Sequence, residues 1–91
     1  MSAPRLRRLS ARQELEVLRR SRALLPMLLK SGLSTPDAIA LAGNACMVWA
    51  ALGDERPPRP EDVLERYSLS EIAGLCEELE KAESSTEEVA L

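Results

Sequence analysis

Apolar residues recur at helical spacing over residues 10–31, which predicts a first helix there. Ser10 and Gln13 have the spacing of a capping box, in which each side chain satisfies an unpaired backbone N–H at the helix start. Pro26 lacks an N–H and crowds the carbonyl four residues back, so it either kinks this helix or ends it. We favour a kink, because the residues after Pro26 stay apolar until Gly32 stops the helix.

The second predicted helix, over residues 36–52, has the clearest start signal. Thr35 is the expected N-cap, Pro36 the first helical residue, and Asp37 faces the positive end of the helix dipole. Gly53 is the expected stop. The helix is apolar on nearly every side, so we expect it to be buried in a core or in an oligomer interface. Its larger apolar residues are Ile39, Leu41, Met47, Val48, Trp49 and Leu52.

Two shorter apolar stretches predict helices over residues 61–67 and 69–83. A stiff connector containing Pro57 and Pro58 precedes the first of them. Ser68 has the capping-box spacing to the Glu three residues later, and this marks the start of the last helix. The last helix is amphipathic and acidic, and its apolar face consists of Ile72, Leu75, Cys76 and Leu79.

These elements predict an all-α fold, a small bundle of about four helices over residues 10–31, 36–52, 61–67 and 69–83. The 91 residues can hold one domain with one modest core, which we place at residues 10–83. Residues 1–9 are basic and lack periodicity, so they are interpreted as a flexible arm. Residues 84–91 are rich in Ser and Glu and are interpreted as a disordered acidic tail.

Charge is divided unevenly along the chain. Residues 1–30 carry eight Arg and Lys against two Glu, a net charge of +6, whereas residues 31–91 carry four against thirteen acids, a net charge of −9. The two parts should therefore attract each other within one chain, or attract other copies of it. We accordingly expect a homo-oligomer.

The chemistry of the sequence argues against an enzyme. Histidine, the commonest general base and metal ligand, is absent, and there is neither a CxxC pair nor a Gly-rich phosphate loop. We therefore expect no catalytic residue, cofactor or metal. Cys46 and Cys76 are interpreted as core residues. The apolar run Ala38–Leu52 is too short to span a membrane and the N-terminus has no secretory pattern, so we expect a cytoplasmic protein without membrane contact.

A stripe of arginines along the first thirty residues leaves two interpretations open. In one interpretation it neutralises phosphates, which makes the chain a nucleic-acid-associated adaptor, although no aromatic residue accompanies it. We favour the interpretation that the stripe is a solvated helix face or a partner for the acidic last helix. Nucleic acid is not the partner that we expect. The stripe contains Arg5, Arg7, Arg8, Arg12, Arg19, Arg20 and Arg22.

Three segments resemble the small tail assembly chaperones of long-tailed bacteriophages and prophages. They are the Arg-rich start from Arg8 to Leu15, the Ala-rich helix ending in Trp49–Leu52, and the stretches Glu61–Leu64 and Tyr67–Leu79. Together they cover roughly residues 8–80. The resemblance implies a helical, often oligomeric protein of the bacterial host cytoplasm that coats the tape-measure protein before the tail tube assembles. That family has no diagnostic catalytic residue, and this chain differs from it at Pro26 and at the Pro57–Pro60 connector.

The expected function is therefore a non-enzymatic protein-binding module acting on a helical client. A structural head or tail subunit is a further alternative. An exposed apolar groove flanked by charge would serve such a module, and either the first or the last helix could provide it. For Trp49 a place in the core is favoured over a place in an interface. The candidate partner-binding residues are Leu18, Arg19, Arg22, Leu25, Leu29, Trp49, Ile72, Leu75 and Leu79.

Overall fold

A computed structural model describes the backbone of residues 6–90 and the side chains of residues 6–81. The described part is all-α and contains no strand. The helices are α1 (Ala11–Lys30), α2 (Thr35–Ala51), α3 (Val63–Arg66) and α4 (Leu69–Ala90), and 3₁₀ turns at Gly53–Glu55 and Pro60–Asp62 lie between α2 and α3. The prediction of a small four-helix bundle is thus confirmed.

Helix α1 begins as its sequence predicts. The N–H of Gln13 donates to Oγ of Ser10 at 3.2 Å, and the N–H of Ser10 donates to Oε1 of Gln13 at 2.8 Å. Pro26 lies inside α1 and does not end it. The missing N–H leaves the carbonyl of Arg22 without its helical partner, but both residues are exposed, so water can satisfy that carbonyl.

The N-cap of α2 is Ser34, so the prediction of Thr35 was wrong by one residue. The backbone of Ser34 is extended, and its Oγ accepts a hydrogen bond from the N–H of Asp37 at 3.3 Å. Thr35 then belongs to the first turn together with Pro36, where a missing N–H costs nothing because the first N–H groups of a helix lack intrahelical acceptors. At the other end, Gly53 takes the left-handed conformation (φ 62°) that stops the helix.

Helix α2 is the centre of the core, as its composition predicts. Its alanines at positions 38, 42 and 45 are fully buried and permit close approach of α1, which a short turn connects to α2. Helix α4 packs on α2 through its predicted apolar face, and Val63 of α3 is also buried. The core therefore consists mainly of aliphatic side chains from three helices around the small residues of α2.

Residues preceding α1 also belong to the folded domain. Leu9 is buried, Leu6 is partly buried against the core, and the N–H of Arg7 donates to the carbonyl of Ala51 at 2.8 Å. The prediction that the whole of residues 1–9 is a flexible arm was therefore wrong for residues 6–9. This contact joins positions more than forty residues apart, and helical periodicity carries no information about it. Residues 1–5, including Arg5, lie outside the described residues.

The last helix continues beyond its predicted end at residue 83. Its backbone is helical through Ala90, and Leu91 lies outside the described residues. The interpretation of residues 84–91 as a disordered acidic tail stays a prediction. The segment contains no Gly or Pro, and its Glu and Ala residues are good helix formers. Across the described residues, no helix is both long and apolar enough to cross a membrane.

Candidate protein-binding surface

The structure divides the predicted partner-binding residues into two groups. Trp49, Ile72, Leu75 and Leu79 are buried in the core and offer no surface to a partner. The residues of α1 lie outside the core: Leu18 is 58% exposed, Leu29 is 40% exposed, Leu25 is half-buried, and Arg19 and Arg22 are exposed. At the predicted positions, the apolar side chains of α1 are exposed or half-buried, whereas those of α4 are buried.

A regular row of six residues, all exposed except the half-buried Leu25, runs along α1, and we call it the seam. Its members are separated by alternating steps of four and three residues, which is the a and d spacing of a coiled-coil helix. The seam lies on a different side of α1 from the core face, which consists of Val17, Leu24 and Leu28. Helix α1 therefore has two apolar faces, of which only one is covered. The seam consists of Ala11, Leu15, Leu18, Arg22, Leu25 and Leu29.

A groove of about 310 Å³ runs beside the seam, between α1 and α2. Leu18 and Leu25 form its α1 wall, Ile39 forms its α2 wall, and Ala42 contributes a small side chain to its lining. Arg22 and Ser21 complete the lining. The groove is thus mostly apolar, with one cationic group at its edge.

Ile39 lies outside the core, although α2 was expected to be buried in a core or in an oligomer interface. Its side chain is 56% exposed, although it belongs to the most apolar helix of the chain. Because α2 is apolar on almost all sides, its sequence does not indicate which face lies outward. Sequence reasoning likewise missed Leu15 (66% exposed) as a surface residue, although the heptad spacing from Leu15 through Leu29 was a signal that could have identified the seam.

The charges around the seam are mostly positive. Glu16 pairs with both Arg20 and Arg19, and these hydrogen bonds, that of Arg20 first, lower the pKa of the Glu16 carboxyl. Arg22 pairs with no carboxylate among the described side chains. The groove therefore has at its edge a cation whose positive charge is not neutralised within the described fold.

Within the described side chains, the arginine stripe is not docked onto the acidic last helix. Among the ion pairs of the described side chains, none connects α1 to α4. One exposed pair, Arg7 with Asp54 at 3.4 Å, does connect the basic and acidic parts of the sequence. The attraction between the two parts thus contributes little within the described fold, and most of the stripe is a solvated surface.

Trp49 holds the connector after α2 in place. Its indole N–H donates to the carbonyl of Pro57 at 2.7 Å in a buried hydrogen bond. The guanidinium carbon of Arg56 lies 4.4 Å from the ring centroid and that of Arg20 lies 5.3 Å from it, within range of cation–π attraction. The favoured interpretation of Trp49 as a core residue is confirmed by its burial.

The remaining reactive side chains are not arranged as a site. Cys46 and Cys76 are both free and buried, and burial raises the pKa of each thiol to about 11. Within the described residues, no cluster of Asp, Glu, Cys or His has the geometry to hold a metal ion. Comparisons with protein-family models, curated proteins and solved structures give no match to this chain.

Proposed function

We propose that this chain is a non-enzymatic module that binds a helical segment of another protein in the groove between α1 and α2. The observation that carries the proposal is the uncovered seam of α1. Its leucines are exposed to water, although they are as apolar as the residues of the core. Burying a fully exposed Leu side chain is worth about 1.5–3 kcal/mol, and Leu15, Leu18 and Leu29 are 40–66% exposed, so a partner gains part of this value from each. Contiguous exposed apolar surface on a small protein commonly marks such an interaction site.

The shape of the surface favours a helix as the occupant. A seam with a and d spacing accepts the side chains of a facing helix between its own, and the groove beside it provides a second wall through Ile39. The resemblance to tail assembly chaperones suggests which client this is. We propose the tape-measure protein of a phage or prophage, whose apolar stripes the chain would cover until the tail tube assembles.

Binding of nucleic acid is the weaker alternative. The exposed arginines would suit phosphates, but Arg22 alternates with leucines along the same face, and phosphate contacts do not need those leucines. The one Trp is buried, so it is not free to stack on a base. A structural head or tail subunit remains compatible with the fold, and it would show itself as a stable ring without any client.

Co-expression with a tape-measure protein tests the proposed function. We expect the chain to keep the client in the soluble fraction, and we expect Leu18→Glu and Ile39→Glu to abolish this effect because each places a carboxylate in the apolar groove. Leu69→Glu is the matched control, since Leu69 is equally exposed (65%) but lies on α4 and does not line the groove. Solubility that is unaffected by the two groove variants would refute the proposal.

A further inference from the structure

We propose that the occupant of the groove is a helix that carries a carboxylate opposite Arg22, and that this helix belongs to another protein and not to a second copy of this chain. This inference rests on the proposed function and specifies the chemistry of its partner.

The length of the seam sets the length of the partner. From Ala11 to Leu29 the seam covers eighteen residue steps, or about 27 Å of helix at 1.5 Å per residue. A partner helix of about three heptads would cover all of it. Because leucines lie on both sides of Arg22, such a helix would contact the seam on each side of the arginine.

The position of Arg22 requires a counter-charge. In the heptad register that places Leu15 and Leu29 at a positions, Arg22 also occupies an a position, which faces the partner helix directly. A helix lying on the seam would remove much of the water around this guanidinium, and an uncompensated buried charge is strongly unfavourable. Since no described side chain of the fold pairs with Arg22, the carboxylate has to come from the partner.

The charges on one flank of the seam also favour an acidic partner helix. Arg12 and Arg19 occupy e positions beside it and are exposed, whereas Glu14 lies on the opposite flank. Residues at e and g positions set partner choice through their charges. A partner helix with acidic residues next to its apolar face would therefore be favoured over a basic one.

Pairing with a second copy through the same seam is disfavoured by these charges. A parallel pair of seams in register would set Arg22 against Arg22 of the other copy, and an antiparallel pair would bring the arginine-lined flank of one copy against the same flank of the other. The acidic helix α4 of another copy is no substitute, because its apolar residues Ile72, Leu75 and Leu79 are already buried in its own core. A homo-oligomer of this chain would use other surfaces.

Two labelled peptides test the inference. Each has about 21 residues with Leu at the a and d positions, and the two differ only in a central seam-facing residue, which is Glu in one and Lys in the other. Fluorescence anisotropy measures their binding to the full chain, to Arg22→Glu and to Lys81→Glu. Lys81 is the matched control, because it is exposed on α4, remote in sequence from the groove-lining residues, and undergoes the same change of charge.

We expect the unmodified chain to bind the Glu peptide about tenfold more tightly than the Lys peptide, Arg22→Glu to reverse this preference, and Lys81→Glu to retain it. Equal affinity for both peptides would overturn the carboxylate inference while leaving the proposed helix-binding function intact. If neither peptide binds and the chain forms a dimer that Leu18→Glu dissociates, a second copy occupies the groove and the inference is wrong. If neither peptide binds and the chain is monomeric, the inference and the proposed function both fail.

Discussion

The indole N–H of Trp49 donates to the carbonyl of Pro57 across an eight-residue separation, and this bond ties the end of α2 to the proline-rich connector. Pro57 is buried although it lies in a loop, so its carbonyl depends on Trp49 for a hydrogen-bond partner. The same ring packs in the core and carries Arg56 on its face. A single side chain thus fixes the path of the chain from α2 towards α3.

Replacing Trp49 separates the packing contribution from that of the hydrogen bond. We expect Trp49→Ala to lower the free energy of unfolding by about 3–5 kcal/mol, because it leaves a large cavity. Trp49→Phe keeps most of the ring but leaves the Pro57 carbonyl unpaired, and it should cost about 1–3 kcal/mol. Urea unfolding followed by far-ultraviolet circular dichroism measures both values. An unchanged midpoint for Trp49→Ala would contradict the buried position of this residue.

The two apolar faces of α1 should respond differently to truncation. Leu24 is 5% exposed on the core face, and Leu24→Ala should cost about 2–5 kcal/mol of stability. Leu18 lies on the seam of the same helix, and Leu18→Ala should change stability by no more than about 0.5 kcal/mol. Thermal unfolding of both variants tests this contrast. A large loss for Leu18→Ala would place the seam in the core and remove the basis of the proposed function.

Ser34 and Thr35 are neighbours at the start of α2, and both residue types are good N-caps. Variants of the two residues show which of them caps the helix. Ser34→Ala removes the hydroxyl that accepts from the N–H of Asp37, so it should cost about 0.5–2 kcal/mol. Thr35→Ala replaces a residue inside the helix with a better helix former and should be neutral or slightly stabilising. Denaturant titrations of the two variants decide between the caps. The opposite order of effects would restore Thr35 as the cap.

The features that local sequence predicts are those set by local interactions. The capping box of Ser68 and Glu71 is present. The N–H of Glu71 donates to Oγ of Ser68 at 3.1 Å, and the N–H of Ser68 donates to Oε1 of Glu71 at 2.9 Å. The apolar face of α4 beginning at Ile72 is buried, as its spacing indicates. Such features depend on residues three or four positions apart, which the sequence displays directly.

The features that the sequence did not predict depend on tertiary packing. Ile39 and Leu15 are as apolar as the residues of the core, and only the way α1 packs on α2 decides that they remain outside it. The burial of Leu9 likewise depends on the docking of residues 6–9 beside the end of α2. The candidate surface was therefore only partly predictable, because an apolar residue that serves a partner looks the same in sequence as one that serves the core.

The two buried cysteines make the stability of the fold sensitive to alkaline pH. Burial raises the pKa of each thiol from 9.0 to about 11, and the nearby carboxylates Glu61 and Glu80 add to the effect for Cys46 and Cys76 respectively. Below pH 9 both thiols keep their protons in the folded and the unfolded chain, so this source of stability is fully present. Between pH 9 and about 11 the unfolded chain releases protons that the folded chain retains, and the free energy of unfolding must fall.

Urea unfolding at several pH values between 8 and 11 measures this loss, and the double variant Cys46→Ala/Cys76→Ala, which lacks both thiols, is the control. We expect the stability of the unmodified chain to fall more steeply above pH 9 than that of the double variant. The same protonation should make both thiols react slowly with a disulfide reagent at pH 8 until urea unfolds the chain, since only the thiolate is nucleophilic. Identical pH slopes together with rapid labelling of the folded chain would show that the thiols are accessible to water and that their protons are not retained by burial.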